Sequence, residues 1–291
     1  MGNQILKSAQ FQVKLARRAL RRTKQRVHYT DYNIGALPIL FSNSFPKSGT
    51  HLLTQILAGF TALGPFVDSG LPAIVTFDGM NGRHRAETEI LHDLQRLTAG
   101  DIAYGHLHAT DQVVKFMSQD SASSFFIIRD PRDVLVSHVH YITDMAPKHI
   151  LHKYYTNELS TFEERLRTSI LGLPNASFQF PDIGKRLEPY LGWMDCEAVF
   201  VLKYENLINQ QFESVSKILN HVIKHGFIPR VNVTKATEVL LAGINPQRSP
   251  TFRKGGSGAW KDQVDAANKN LIKDTAGRAL IQLGYEKDLA W

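Results

Sequence analysis

Short apolar runs alternate along this chain with longer stretches whose apolar residues recur every three to four positions. The runs at 38–45, 101–107, 124–129 and 198–204 read as buried strands. Helical spacing appears near 49–61, 86–98, 131–143, 158–171 and 207–224, and 262–285 reads as a closing helix. Such alternation is the signature of a parallel sheet covered on both faces. The stretch from 141 to 195 has no such order: it reads as irregular and aromatic, with Tyr141, Tyr154, Tyr155, Phe162, Phe178, Phe180, Tyr190 and Trp193. At 291 residues one domain accommodates this pattern, and no repeat or low-complexity tract divides it.

The net charge of +7 belongs to one end of the chain. Residues 1–30 carry Lys7, Lys14, Arg17, Arg18, Arg21, Arg22, Lys24 and Arg26 and no acidic residue, which leaves the rest at 26 basic against 27 acidic, a net −1. The body therefore has no excess charge to suggest nucleic-acid binding. In a helix, Lys14, Arg17, Arg18 and Arg21 share one face, and Ile5, Ala9, Val13, Ala16 and Leu20 another. Two uses fit residues 1–30 as a basic arm beside a 31–291 domain. The arm can pack on the body with its charges in water, or make a weak contact with an anionic membrane surface. A single cysteine, Cys196, excludes an internal disulfide framework. No apolar run reaches the length of a membrane span and no signal-peptide core opens the chain, so a cytoplasmic protein is expected.

Three segments carry chemistry. Phe45-Pro46-Lys47-Ser48-Gly49-Thr50-His51 links a strand to a helix. A turn of this kind aims backbone N–H groups and the positive end of the helix dipole at one spot, which suits phosphate. Gly49 permits close approach, Ser48 and Thr50 add hydroxyls, and Lys47 adds a mobile charge. This is not a Walker A loop, which places the lysine after a glycine. In Phe125–Ser137 a buried strand ends at Arg129, and Asp130-Pro131 opens a helix that carries Ser137. Thr251–Lys261 sets Phe252, Arg253 and Lys254 before Gly255, Gly256 and Gly258, the composition of a basic flap able to close over an anion.

Together, in this order, the three segments resemble the sulfotransferases that use 3′-phosphoadenosine 5′-phosphosulfate (PAPS), over roughly residues 38–285. The resemblance implies a P-loop-like three-layer α/β/α fold with a central parallel sheet. It assigns the donor's 5′-phosphosulfate to Lys47, Ser48, Gly49, Thr50 and His51, and its 3′-phosphate to Arg129 and Ser137 with the flap residues Phe252, Arg253, Lys254 and Gly255. Tyr204 matches a strand-end tyrosine near the adenine. Lys47 is expected to neutralise charge on the leaving phosphate, and Ser137 to hold that lysine back until acceptor binds. In Asp101–His108, the family's Gly/Thr-His-Leu segment maps its base onto His106. Strand alternation places His108 on the same face, as a possible second candidate. A His-x-His metal pair lacks a third ligand at suitable spacing, and no metal is expected.

Two departures mark a divergent member, of bacterial type. Leu52 stands where cytosolic members usually carry a tryptophan, and the flap continues Gly258-Ala259-Trp260-Lys261 instead of Gly-Asp-Trp-Lys. The aromatic stretch 141–195 is the candidate acceptor wall and lid, or plain core. A small molecule or a glycan, sulfated at a hydroxyl or an amine, fits this reading. Two rivals stay open: a P-loop kinase-like phosphotransferase, and a non-catalytic nucleotide-binding protein whose basic arm meets membrane or polyanion.

Overall fold

The computed structural model describes residues 2–78, 82–174, 178–249 and 255–291. In chain order the elements are α1 (Gly2–His28), β1 (Ile39–Ser44), α2 (Thr50–Gly59), β2 (Val67–Asp68), β3 (Ile74–Val75), β4 (Phe77–Asp78), β5 (Arg83–His84) and α3 (Glu87–Leu94). Then come β6 (Asp101–His106), α4 (Asp111–Met117), β7 (Ala122–Ile128), α5 (Pro131–His140), α6 (His152–Asn157), α7 (Phe162–Leu171), α8 (Ile183–Leu191) and β8 (Val199–Lys203). α9 (Tyr204–Asn209), α10 (Gln211–Lys224), α11 (Val233–Ala242), α12 (Trp260–Gln263) and α13 (Ala266–Gln282) complete the chain.

β1 and β7 are buried at every position, so both faces of the strands need cover. The sheet supplies it with order β2-β6-β1-β7-β8, every pairing parallel, while β3 joins the same edge of β6 farther along. Alternation along the strands separates two cores. Phe41, Phe126 and Ile128 face a cluster with Leu135, Leu166, Leu187 and Leu280, contributed by α5, α7, α8 and α13. Leu40, Phe125 and Ile127 face the other, with Leu53 and Ile56 of α2, Leu219 of α10 and Leu240 of α11. The result is a P-loop-like three-layer α/β/α fold. All the long parallel strands end on one side, which is where open α/β sheets bind ligands.

Two expectations need correction. The stretch 141–195 is more regular than expected: beside the helix predicted near 158–171, which appears as α7, it holds a π-helical turn at Tyr141–Met145, α6 and α8. α8 escapes a periodicity reading because Pro189 lies inside it. The arm also lies the other way round. Its arginines face the body: Arg18 and Arg22 pair with Asp101, which is fully buried, while Arg21 donates to the Asp68 carbonyl and Arg22 to that of Ala99. The described part of the predicted apolar face points outward, with Val13 50% and Leu20 71% exposed. The side chains of Ile5 and Ala9 lie outside the described residues. A buried carboxylate needs cations more than a small apolar stripe needs cover, so Asp101 fixes the rotation of the helix.

If Asp101 anchors α1, Asp101→Asn strands Arg18 and Arg22 and should cost on the order of 3–5 kcal/mol. Chemical denaturation gives the loss, and faster amide exchange over residues 12–28 shows that it arises from release of the helix.

Candidate active site

A cavity of about 1000 Å³ opens at the carboxyl ends of β1, β6 and β7. The β1–α2 turn forms its floor. Lys47 adopts the left-handed conformation at φ 69°, and Gly49 follows at φ 102°. A Cβ on Gly49 would stand 2.5 Å from the Tyr204 ring, so glycine is required twice over, by dihedral and by space. Gly49 caps α2 without a side-chain bond, and the first bond into the helix runs from the Leu53 N–H to the Gly49 carbonyl. The amides of Gly49, Thr50, His51 and Leu52 therefore have no backbone partner among the described residues, and the dipole of a ten-residue helix adds to their pull.

Cations surround this helix end. Lys47 sits over the Tyr141 ring, its ammonium 4.0 Å from the centroid, and burial with the Arg129 charge nearby lowers its pKa to about 8. It makes no hydrogen bond to Ser137 among the described residues, although both line the cavity. Arg129 lies over Tyr204 and donates to the Gly256 carbonyl at 2.9 Å. The Ser48 hydroxyl and Arg129 Nε are buried without a partner among the described residues.

The flap's described part is held from beneath. Asp133, buried on α5, accepts from the Gly258 N–H at 2.7 Å and the Trp260 N–H at 3.0 Å. Tyr204 Oη accepts from the Gly256 N–H at 3.4 Å. Gly255, Gly256 and Gly258 all take positive φ, and open space surrounds a Cβ at the last two, so the backbone conformation alone selects glycine there. Phe252, Arg253 and Lys254 lie outside the described residues.

His106 ends β6 with its ring at the cavity wall. Its Nδ1 is 3.0 Å from both the Ser44 carbonyl and the Ser44 hydroxyl. The carbonyl only accepts, and the hydroxyl can accept here while donating to Thr50 Oγ1 at 2.7 Å. A proton on Nδ1 therefore satisfies every partner and leaves the Nε2 lone pair for the cavity. Burial lowers its pKa to about 4 against the Ser44 bond, with His51 and Lys47 adding to the depression. His108 lies beyond the strand end. Its ring meets Tyr190 at 4.8 Å and His84 at 5.9 Å, and burial followed by the His84 charge brings it to about 4 as well. His51 is likewise lowered, by burial and then Lys47.

The sulfotransferase domain family matches residues 40–284. The chain belongs to the sulfotransferase family. A mouse sulfotransferase, SULT7A1, solved in complex with 3′-phosphoadenosine 5′-phosphate (PAP), superposes with a TM-score of 0.57 at 16% identity, covering 87% of this chain and 91% of that one. Retinol dehydratase solved with androsterone and PAP gives 0.51 at 15% identity over 84% and 83%. Its complex with retinol and PAP gives 0.51 at 16%, over 84% of each. No curated protein matches the sequence.

In this sulfotransferase Lys47, Gly49, Thr50, His51, His106, Arg129, Ser137, Tyr204 and Gly255 all line one cavity, while Ser48 is buried beneath it. Of the predicted aromatic wall, Tyr141, Phe178, Phe180 and Tyr190 face the cavity. Trp193 and Tyr155 are core and Tyr154 is exposed. Sequence reasoning missed Asp133, whose role depends on a loop more than 120 residues away, and Ser44, whose carbonyl sets the His106 tautomer. The Asp130-Pro131-Arg132-Asp133 run held the signal for the first: an acid one turn into a helix behind a strand-end arginine.

With its pKa near 4, His106 should stay neutral throughout the physiological range. Two-dimensional ¹⁵N NMR on labelled imidazoles should show Nδ1 protonated, Nε2 unprotonated, and no titration of this ring above about pH 5.

Proposed function

We propose that this sulfotransferase takes PAPS as donor and moves its sulfuryl group to a hydroxyl of a small, largely apolar acceptor, with His106 as base. The observation that carries the donor reading is a set of groups unmet among the described residues: an uncapped helix end, the Ser48 hydroxyl and Arg129 Nε, and a lysine whose pKa burial and the Arg129 charge depress. An anionic donor satisfies each of them. The β1–α2 amides with Lys47, Ser48, Thr50 and His51 would hold its 5′ end, Arg129 and Ser137 with Arg253 and Lys254 its 3′-phosphate, and Tyr204 and Leu52 would pack near its base. The PAP complexes of SULT7A1 and retinol dehydratase support this choice, and the androsterone and retinol of the latter support a small apolar acceptor.

The donor supplies an activated sulfuryl group; this chain's residues supply position, charge and a proton acceptor. His106 Nε2, facing the cavity, takes the proton of the acceptor hydroxyl as it attacks. Lys47, at the foot of α2, balances the charge that develops on the departing phosphate oxygen. The Tyr141 ring provides its resting place in this structure. Asp133 and Arg129 fasten the described part of the flap at Gly256, Gly258 and Trp260. A P-loop kinase would carry its loop lysine directly after a glycine, whereas here Lys47 precedes Gly49.

Calorimetry should find PAP bound far more tightly than AMP, with Arg129→Ala losing on the order of 1.5–3 kcal/mol for PAP and little for AMP. Equal affinity for the two nucleotides overturns the donor assignment.

His106→Ala should lose about 10²–10⁴-fold in turnover with PAP affinity nearly unchanged. His108→Ala should instead raise the acceptor KM, and Lys47→Ala should lower both turnover and donor affinity. Burial lowers His106 to about 4, and the negative charge of bound donor raises it again. The acid limb of kcat/KM for acceptor at saturating donor should therefore lie above about 4 and no higher than the ordinary histidine range. An active His106→Ala beside a dead His108→Ala would move the base two residues along the chain.

A further inference from the structure

Two cations that the transfer chemistry does not use line the cavity, Lys185 and Arg186 of α8. Lys185 is exposed and pairs with Asp182, whereas Arg186 forms no ion pair among the described residues. Its Nη2 donates to the Ser169 carbonyl, its Nε is buried without a partner, and its Nη1 has no hydrogen bond among the described residues. The guanidinium rests on the Phe180 ring at 4.5 Å. Asp182, the carboxylate whose charge Arg186 feels, is committed elsewhere, capping α8 through the Lys185 N–H at 2.9 Å and pairing with Lys185 Nζ at 3.3 Å. Carbonyl and ring satisfy only part of a guanidinium that has five N–H donors. Burial lowers its pKa to about 10, which leaves it charged at neutral pH and lacking an anion.

The wall between Arg186 and the transfer site is continuous and nearly uncharged. Lys47 touches Tyr141, Tyr141 meets His149 at 6.1 Å, His149 meets His138 at 6.4 Å, and His138 stacks on Phe180 at 5.7 Å, beneath Arg186. His138 donates to or accepts from the Ser169 hydroxyl at 3.0 Å, and burial with the charges of Arg186, His149 and Lys47 keeps it neutral. A ligand lying along this wall meets aromatic faces for its whole length and a cation at its far end. Such a cavity rewards a flat apolar body with a negative terminus, and it disfavours a polyhydroxylated glycan, whose polar groups would lie unpaired against the rings.

We propose that Arg186 recognises an acidic group on the acceptor, so that the substrate class is an aromatic hydroxy acid: a hydroxyl presented to His106 at one end and an oxyanion bound to Arg186 at the other. This rests on the transfer reading above, and it adds the identity of the far terminus. Arginine suits the role because its planar donors match a carboxylate and its weak hydration lowers the cost of burial.

The test uses (4-hydroxyphenyl)alkanoates of increasing chain length, each paired with its primary amide, on the full chain. At the best length the acid should exceed its amide in kcat/KM at least about tenfold, the lower end of what a charge-assisted hydrogen bond contributes. Arg186→Gln should bring the ratio near one, Arg186→Lys should restore part of it, and both should leave PAP affinity unchanged. Acids no better than amides at every length in the unaltered enzyme, or a preference that survives Arg186→Gln, overturns the proposal. The acid-to-amide comparison on the unaltered enzyme decides even if Arg186→Gln does not fold. Calorimetric binding of acid and amide to the PAP-saturated protein separates this proposal from the transfer reading. An acid preference in binding with no transfer to any acceptor would sink the catalytic assignment alone.

Discussion

An uncompensated positive field at the start of α2 is the constraint around which this molecule is arranged. The amides of Gly49, Thr50, His51 and Leu52 lack backbone partners, Lys47 and Arg129 repel one another nearby, and no carboxylate of the described residues pairs with Lys47. Burying like charges together is unfavourable and persists only where the fold over-determines it. Here it does so through the sheet. β1 is fixed between β6 and β7, α2 is pinned to the core by Leu53, Ile56 and Leu57, and Tyr204 closes the space beneath Gly49. The Lys47 backbone, held at positive φ, adds local strain at the same point. Stability is given up at one spot, and the same spot gains affinity for an anion.

Asp133 shows how the negative charge that is present is directed. Its carboxylate could have neutralised Arg129, which lies 3.6 Å away, but its short bonds go to the N–H groups of Gly258 and Trp260. The acid fastens the flap and leaves the arginine only partly balanced. α12 is held further by Arg132, packed between Trp260 at 3.8 Å and Trp291 at 4.5 Å and paired with Asp130 and Glu286. The carboxylates near the donor end thus position backbone, and its cations remain available to ligand.

Much of this was legible in the chain because it is local. A buried run, a turn through Lys-Ser-Gly-Thr and an amphipathic helix specify a strand–loop–helix unit wherever they occur, and four such runs specify the parallel sheet. The short strands β2 to β5 were not legible, since two residues carry no periodicity. The rotation of α1 was misread for a different reason. Amphipathicity assigns the apolar stripe inward, but the body offers Asp101, and no property of residues 1–30 announces a buried acid at position 101. Arg186 was hidden in the same way. In sequence it is one more basic residue of a stretch that reads as irregular, and only the packing of α8 against α7 and α13 turns it into the cavity.

The depressed ionisations bear on the order of events. Burial and then the Arg129 charge lower Lys47, and burial with His51 and Lys47 adding lowers His106, so both are poised away from their ordinary values. Negative charge seated on α2 favours the charged form of each. It raises Lys47 back toward full protonation, which keeps a proton near the departing oxygen, and raises His106 from about 4 toward neutrality, which makes Nε2 a stronger base. By linkage, the protein that binds the anion more tightly is the one whose base is stronger, since the two effects are one coupling free energy seen from two sides. An acceptor hydroxyl arriving before the donor meets a weak base and no electrophile; arriving after, it meets both. The electrostatics of an empty positive site are therefore enough to tie activation of the acceptor to the presence of the donor, without a moving part.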